Sequence, residues 1–133
     1  MKYLLILHGT EGDEQVNLSR EEMTERMKEW DAYTSAVVEA GVFLAGEGLY
    51  PSSAATTVRH QPGGERILTD GPFAETKEQI GGFYLLNCAD LDEALAWAKR
   101  TPVREGSAVE LRPVMDFSEF GHEHPDSVAR TAG

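Results

Sequence analysis

Two short runs in this chain, residues 3–7 (Tyr-Leu-Leu-Ile-Leu) and residues 83–86 (Phe-Tyr-Leu-Leu), are apolar at every position. A strand with one wet face alternates polar and apolar residues, because successive side chains point to opposite sides of the sheet. Runs that do not alternate belong to strands covered on both faces. Both runs are therefore expected in the middle of a sheet, and the rest of the chain must be arranged around them.

The intervening segments change type in order. Ser19, with Glu22 three residues on, makes a capping pattern ahead of Met23, Met27, Trp30, Tyr33 and Val37 at helical spacing, and Gly41 stands where a helix ends. The spacing predicts a helix over residues 19–40. Residues 42–49 suit a strand. Residues 56–60 and 66–69 flank Gln61-Pro62-Gly63-Gly64-Glu65, a hairpin signature with Pro-Gly at the turn. The second apolar run lies within a strand over residues 82–88. Asp90 and Glu93 open a second helix, with Leu91, Ala94, Leu95 and Ala98 on one stripe and Pro102 as its stop. Residues 108–115 alternate, with Val109 and Leu111 against Glu110 and Arg112, and Pro113 marks an edge strand.

The order is β-α-β, an inserted hairpin, then β-α-β. Two right-handed crossovers, each skipping one place, give an α+β fold of the ferredoxin-like split βαβ kind: an antiparallel sheet in the order 4-1-3-2 with both helices on one face. The first and third main strands are then central, as their unbroken apolar runs require. Residues 1–117 form one domain carrying the hairpin 56–69, and residues 118–133, without periodicity, form a C-terminal tail. Two helices cover only one face of such a sheet. A second subunit packed sheet to sheet covers the other, with a two-fold axis as the commonest symmetry, so a homodimer is expected. The alternative is that the hairpin and tail fold over that face.

At 133 residues with a formal net charge of −11, the chain is one small acidic domain whose basic residues are scattered. That balance repels phosphate backbones and anionic lipid, so neither nucleic acid nor membrane is an expected partner. One cysteine, Cys88, precludes an internal disulfide, and the N-terminal run lacks a cleavage pattern. A cytoplasmic location is the expectation.

The densest local signal is Asp70-Gly71-Pro72-Phe73, followed by Glu75-Thr76-Lys77-Glu78 and by Gly81-Gly82 at the entry to a central strand. Asp-Gly favours a turn, Pro72 fixes its exit, and paired glycines admit a close approach by backbone or ligand. Asp70–Phe73 is the tetrapeptide that names the DGPF proteins. Further likeness lies in residues 1–7, Gly46-Glu47-Gly48-Leu49, residues 55–59, Glu75-Thr76-Lys77-Glu78, Leu91-Asp92-Glu93-Ala94 and residues 109–115. Over roughly residues 1–117 the chain resembles the DGPF branch of the YCII-related proteins. The resemblance implies a dimeric α+β barrel, shared with small cofactor-free monooxygenases and muconolactone-isomerase-like enzymes, with no settled reaction. It also implies occasional linkage to extracytoplasmic-function sigma factors. A histidine in the first helix and an aspartate before a proline after the second are a proposed catalytic pair in YCII relatives. Here residues 19–40 contain no histidine, and Thr101 precedes Pro102, so that pair does not carry over.

The residues themselves suggest a catalytic set of Asp70, His8 and Glu47. Asp70 can serve as a general acid or base, though Asp before Gly is also a turn-former. Glu47, between two glycines at a strand end, can face a pocket or solvent. His8 keeps the period of Leu4 and Ile6 and can line a barrel interior as its pH-sensitive group; a satisfied buried histidine is the other reading. Arg59 and Lys77 can hold an anionic ligand or pair with surface carboxylates, and Phe73 and Tyr84 can wall a pocket or fill the core. Cys88 reads as a small buried apolar residue. His122-Glu123-His124 lacks an ordered third ligand, so no metal is expected, and no cofactor motif is present. Three functions fit: a dimeric small-molecule-binding protein or cofactor-free enzyme for proton-transfer chemistry, a regulatory protein-docking partner, or a structural interaction module.

Overall fold

The computed structural model describes residues 1–10, 18–74 and 78–122. Six strands and two α-helices follow in the expected alternation: β1 (Lys2–Thr10), α1 (Arg20–Glu39), β2 (Phe43–Gly48), β3 (Thr56–His60), β4 (Arg66–Asp70), β5 (Glu78–Asn87), α2 (Leu91–Lys99) and β6 (Ala108–Pro113). β2, β5, β1 and β6 form one antiparallel sheet in that spatial order, while β3 and β4 pair as a separate hairpin. Numbered as four main strands, this is the 4-1-3-2 order, and the fold is α+β of ferredoxin-like type. β1 and β5 are central, as two unalternating apolar strands must be. β5 starts four residues earlier than the sequence suggests, because its ladder with β1 continues past a bulge at Leu7/His8 to Thr10↔Glu78.

Both helix starts follow from their caps. The Ser19 hydroxyl accepts from the Glu22 amide at 3.0 Å, and Asp90 Oδ1 accepts from the Glu93 amide at 2.9 Å. Tyr3, Leu5, Tyr84 and Leu86 point to the helix side and form the core with Tyr33 and Val37 of α1, Ala94 of α2, and Cys88. Trp30 stacks on Tyr84, and the Tyr33 ring stands edge-on to Tyr84 and Trp97.

Two stripes differ from their sequence pattern. Met23 and Met27 stay exposed, and the buried residues of α1, Tyr33 and Val37, lie in its C-terminal half. On α2 the inward face is Ala94, Trp97 and Ala98, while Leu91 and Leu95 remain exposed. The Trp97 ring packs edge-on against Tyr33, whose hydroxyl donates to the Trp97 carbonyl at 3.0 Å. After β6, the chain makes a short 3-10 turn, Phe117–Phe120, capped by Asp116 and closed by Gly121 in the left-handed region.

The β3–β4 hairpin closes through Gln61, whose amide donates to the Glu65 carbonyl at 2.7 Å, with Gly63 and Gly64 at positive φ. Neither of its strands contains a buried residue, and Leu68 is 72% exposed. It therefore does not cover the second face of the main sheet. No described helix is long and apolar enough to cross a membrane.

Candidate functional site

The face of the sheet turned away from the helices follows from the register. Glu47, Phe83, Ile6 and Glu110 stand in one row across β2, β5, β1 and β6, strand beside strand. Ala45, Leu85, Leu4 and Arg112 make the next row, and His8, between Ile80 and Ala108, begins the third. Leu4, Ile6, Phe83 and Leu85 are half-buried and form an apolar strip two strands wide, with a carboxylate at each end of its middle row.

His8 and Glu110 are diagonal neighbours on this face, and His8 Nε2 lies 2.8 Å from Glu110 Oε1. Glu110 Oε2 accepts from Arg112 Nε at 2.7 Å. These bonds, that from Arg112 foremost, hold the Glu110 carboxyl below the usual carboxylate range. An ionised Glu110 can only accept, so neutral His8 carries its proton on Nε2 and presents the Nδ1 lone pair as a proton acceptor. Among the described residues, neither Nδ1 of His8 nor the terminal nitrogens of Arg112 meet a hydrogen-bonding partner.

The other singled-out residues divide between three places. Glu47 shares the His8 face but stands two strands away, beyond β5. Asp70 ends β4 opposite Thr56, exposed on the hairpin. Arg59 donates from a terminal nitrogen to the Phe73 carbonyl at 3.0 Å and lies 5.0 Å from the Phe73 ring centre, while Thr57 donates to the Gly71 carbonyl at 2.8 Å. The Asp70-Gly71-Pro72-Phe73 turn is thus strapped to the hairpin, with the Phe73 ring 71% exposed. Lys77 lies outside the described residues.

Tyr84 is on the opposite side from His8: it is buried under α1, its hydroxyl bonded to Thr34. Strand alternation puts it there, since Tyr84 faces Leu5 and not Ile6. Thr101 is also buried, and its hydroxyl donates to the Ala98 carbonyl at 2.8 Å, finishing α2. Burial pushes the Cys88 thiol up to about 11, which suits an unreactive core residue. Of the His122-Glu123-His124 stretch, Glu123 and His124 lie outside the described residues.

Sequence reasoning passed over Glu110 and Arg112. The signal was present in the alternation of residues 108–113, whose polar members share one side. Only the β1–β6 register shows that this side is also that of His8.

A sequence profile of the YCII-related domain matches residues 1–118. An uncharacterized protein of Rhizobium meliloti (strain 1021) is 51% identical over 81 residues, which are 61% of this chain and 64% of that relative. The matched part is therefore just under two thirds of the relative's own length. With the profile spanning nearly all the described residues and the sheet in ferredoxin-like order, the chain belongs to the YCII-related domain family.

Proposed function

We propose that two copies of this chain pack sheet to sheet and bind a small organic molecule in the barrel between them, with His8 as the proton-transfer group. The observation that carries this reading is the strip of Leu4, Ile6, Phe83 and Leu85 with the His8–Glu110 pair beside it. An apolar surface of that shape on a sheet face favours a second sheet. Enclosure by that sheet would remove water from the His8–Glu110 pair and strengthen it.

A carboxylate-oriented imidazole can take a proton from carbon and return it elsewhere without a cofactor. That suits isomerisation, lactone chemistry or the oxidation of an activated substrate. Glu47, across the strip, is a second carboxylate for the same enclosed space. Asp70, Arg59 and Phe73 would join it only if the hairpin reaches over from the partner. The single reduced cysteine fits a cytoplasmic setting.

A second reading is a non-catalytic partner that docks another protein, for example a regulator of transcription. It is favoured by Val58, Leu68 and Phe73, all exposed on the hairpin. Native mass spectrometry of the protein as purified separates the two. A dimer carrying additional small-molecule mass, lost in His8→Asn or displaced by a competing ligand, is expected. A dimer that never retains a ligand favours docking, and a monomer contradicts the barrel.

A further inference from the structure

Arg112 engages Glu110 through Nε alone. A guanidinium bound in that way keeps the fork of its two terminal nitrogens for a second acceptor, and that fork matches a carboxylate in spacing and direction. Glu110 is engaged on both sides, with one oxygen toward His8 and the other toward Arg112. Arg112 stands opposite Leu4, and His8 lies on the far side of the Ile6–Glu110 row. One carboxylate therefore separates an imidazole from a guanidinium, with the apolar strip beside them. In a chain of net charge −11, a cation facing an apolar surface is a selective feature.

We propose that Arg112 is the anion-recognition residue of this face and that its ligand is a small organic carboxylate, held end-on by the guanidinium with its apolar body over Leu4 and Ile6. This assignment rests on the small-molecule reading of the face given above. Glu110 acts as a positioning residue for both neighbours: it fixes the tautomer of His8 and the side-chain direction of Arg112. With its body over Leu4 and Ile6, the ligand extends along β1 toward His8, where a carbon acid within the same molecule can lose a proton to Nδ1. The C–H bonding pair stays on the ligand as an enolate or extended enolate, and reprotonation by His8 at another carbon completes an isomerisation without net redox change.

Benzoate and its neutral counterpart benzamide are suitable probes, followed by backbone amide NMR on the full chain. Benzoate is expected to shift the amides of Leu4, Ile6, His8 and Arg112 at concentrations where benzamide does not. Arg112→Gln should weaken benzoate binding by about tenfold or more, as loss of a charged hydrogen-bond pair does. Arg112→Lys, which keeps the charge but not the fork, should retain part of it. Both variants lie on an exposed edge strand, and their spectra report directly whether the fold is kept. Equal binding of benzamide, unchanged benzoate binding in Arg112→Gln, shifts confined to the hairpin, or absence of binding would each overturn the assignment. The same samples separate the two levels of the account. A monomer fails the enclosed-site reading itself, whereas a dimer that prefers benzamide fails only the role given to Arg112.

Discussion

At the Glu110 carboxylate two donors meet, one from the imidazole of His8 on β1 and one from Arg112 on its own strand. The folded chain holds this carboxyl below its ordinary value of 4.5, with the Arg112 bond as the first cause. A depressed carboxylate contributes stability that is present above its unfolded value and is lost as pH falls through the lower folded value. Glu110→Gln removes that contribution. The gap in urea midpoint between wild type and Glu110→Gln, small because exposed ion pairs contribute little, is expected to be present at neutral pH and to close on acidification. A gap that stays constant as the carboxyl protonates would show that the pair does not contribute through its charge. At this scale the sequence was partly legible. His8 announces itself by keeping the period of Leu4 and Ile6, but its partner sits 102 residues away, and no local pattern specifies a cross-strand diagonal. The same limit hid the placement of Tyr84. Its alternation phase within residues 83–86 is invisible when every position is apolar, so only pairing with Leu5 reveals that it lies under the helix.

Strand β2 illustrates how elements constrain one another. Gly46 faces Tyr84 across the β2–β5 ladder, and a Cβ there would come within 2.8 Å and 2.9 Å of the Tyr84 ring and 3.2 Å of the Phe43 ring. Tyr84 cannot yield easily, being stacked on Trp30 and bonded to Thr34. Gly46→Ala should therefore cost about 1–3 kcal/mol, in the range of overpacked cores, read as a fall in the urea midpoint. Gly48→Ala, on the same strand with open space around it, is the control and should change stability little. Equal effects at the two positions would contradict this packing. The elements themselves were well marked in sequence, since caps, turns and apolar runs are local chemistry: Ser19, Asp90 and the Pro62-Gly63-Gly64 turn each do what their residue types dictate. Less legible was which helical stripe turns inward. On α2 it is Trp97, and not Leu91 or Leu95, that packs on the core, its ring edge-on to Tyr33, and that choice is made by the partner element.

On the scale of the whole molecule, one face of the four-stranded sheet is sealed by α1 and α2, and the other presents Leu4, Ile6, Phe83 and Leu85 between two carboxylates. The hairpin, exposed along both strands, leaves that face uncovered among the described residues. The strand order was readable because right-handed crossovers and two non-alternating strands leave few arrangements. Assembly is a different matter: the same apolar strip that fixes β1 and β5 as central implies a cover, and the sequence of one chain carries no register for its contact with a second. In the proposed assembly a second copy provides the cover through this strip. Sedimentation equilibrium of wild type beside Ile6→Lys tests this assembly, because Ile6 faces away from the helical core and a charge there leaves that core intact. A wild-type dimer and a folded, monomeric Ile6→Lys are expected. A monomeric wild type, or a variant that remains a dimer, would contradict it.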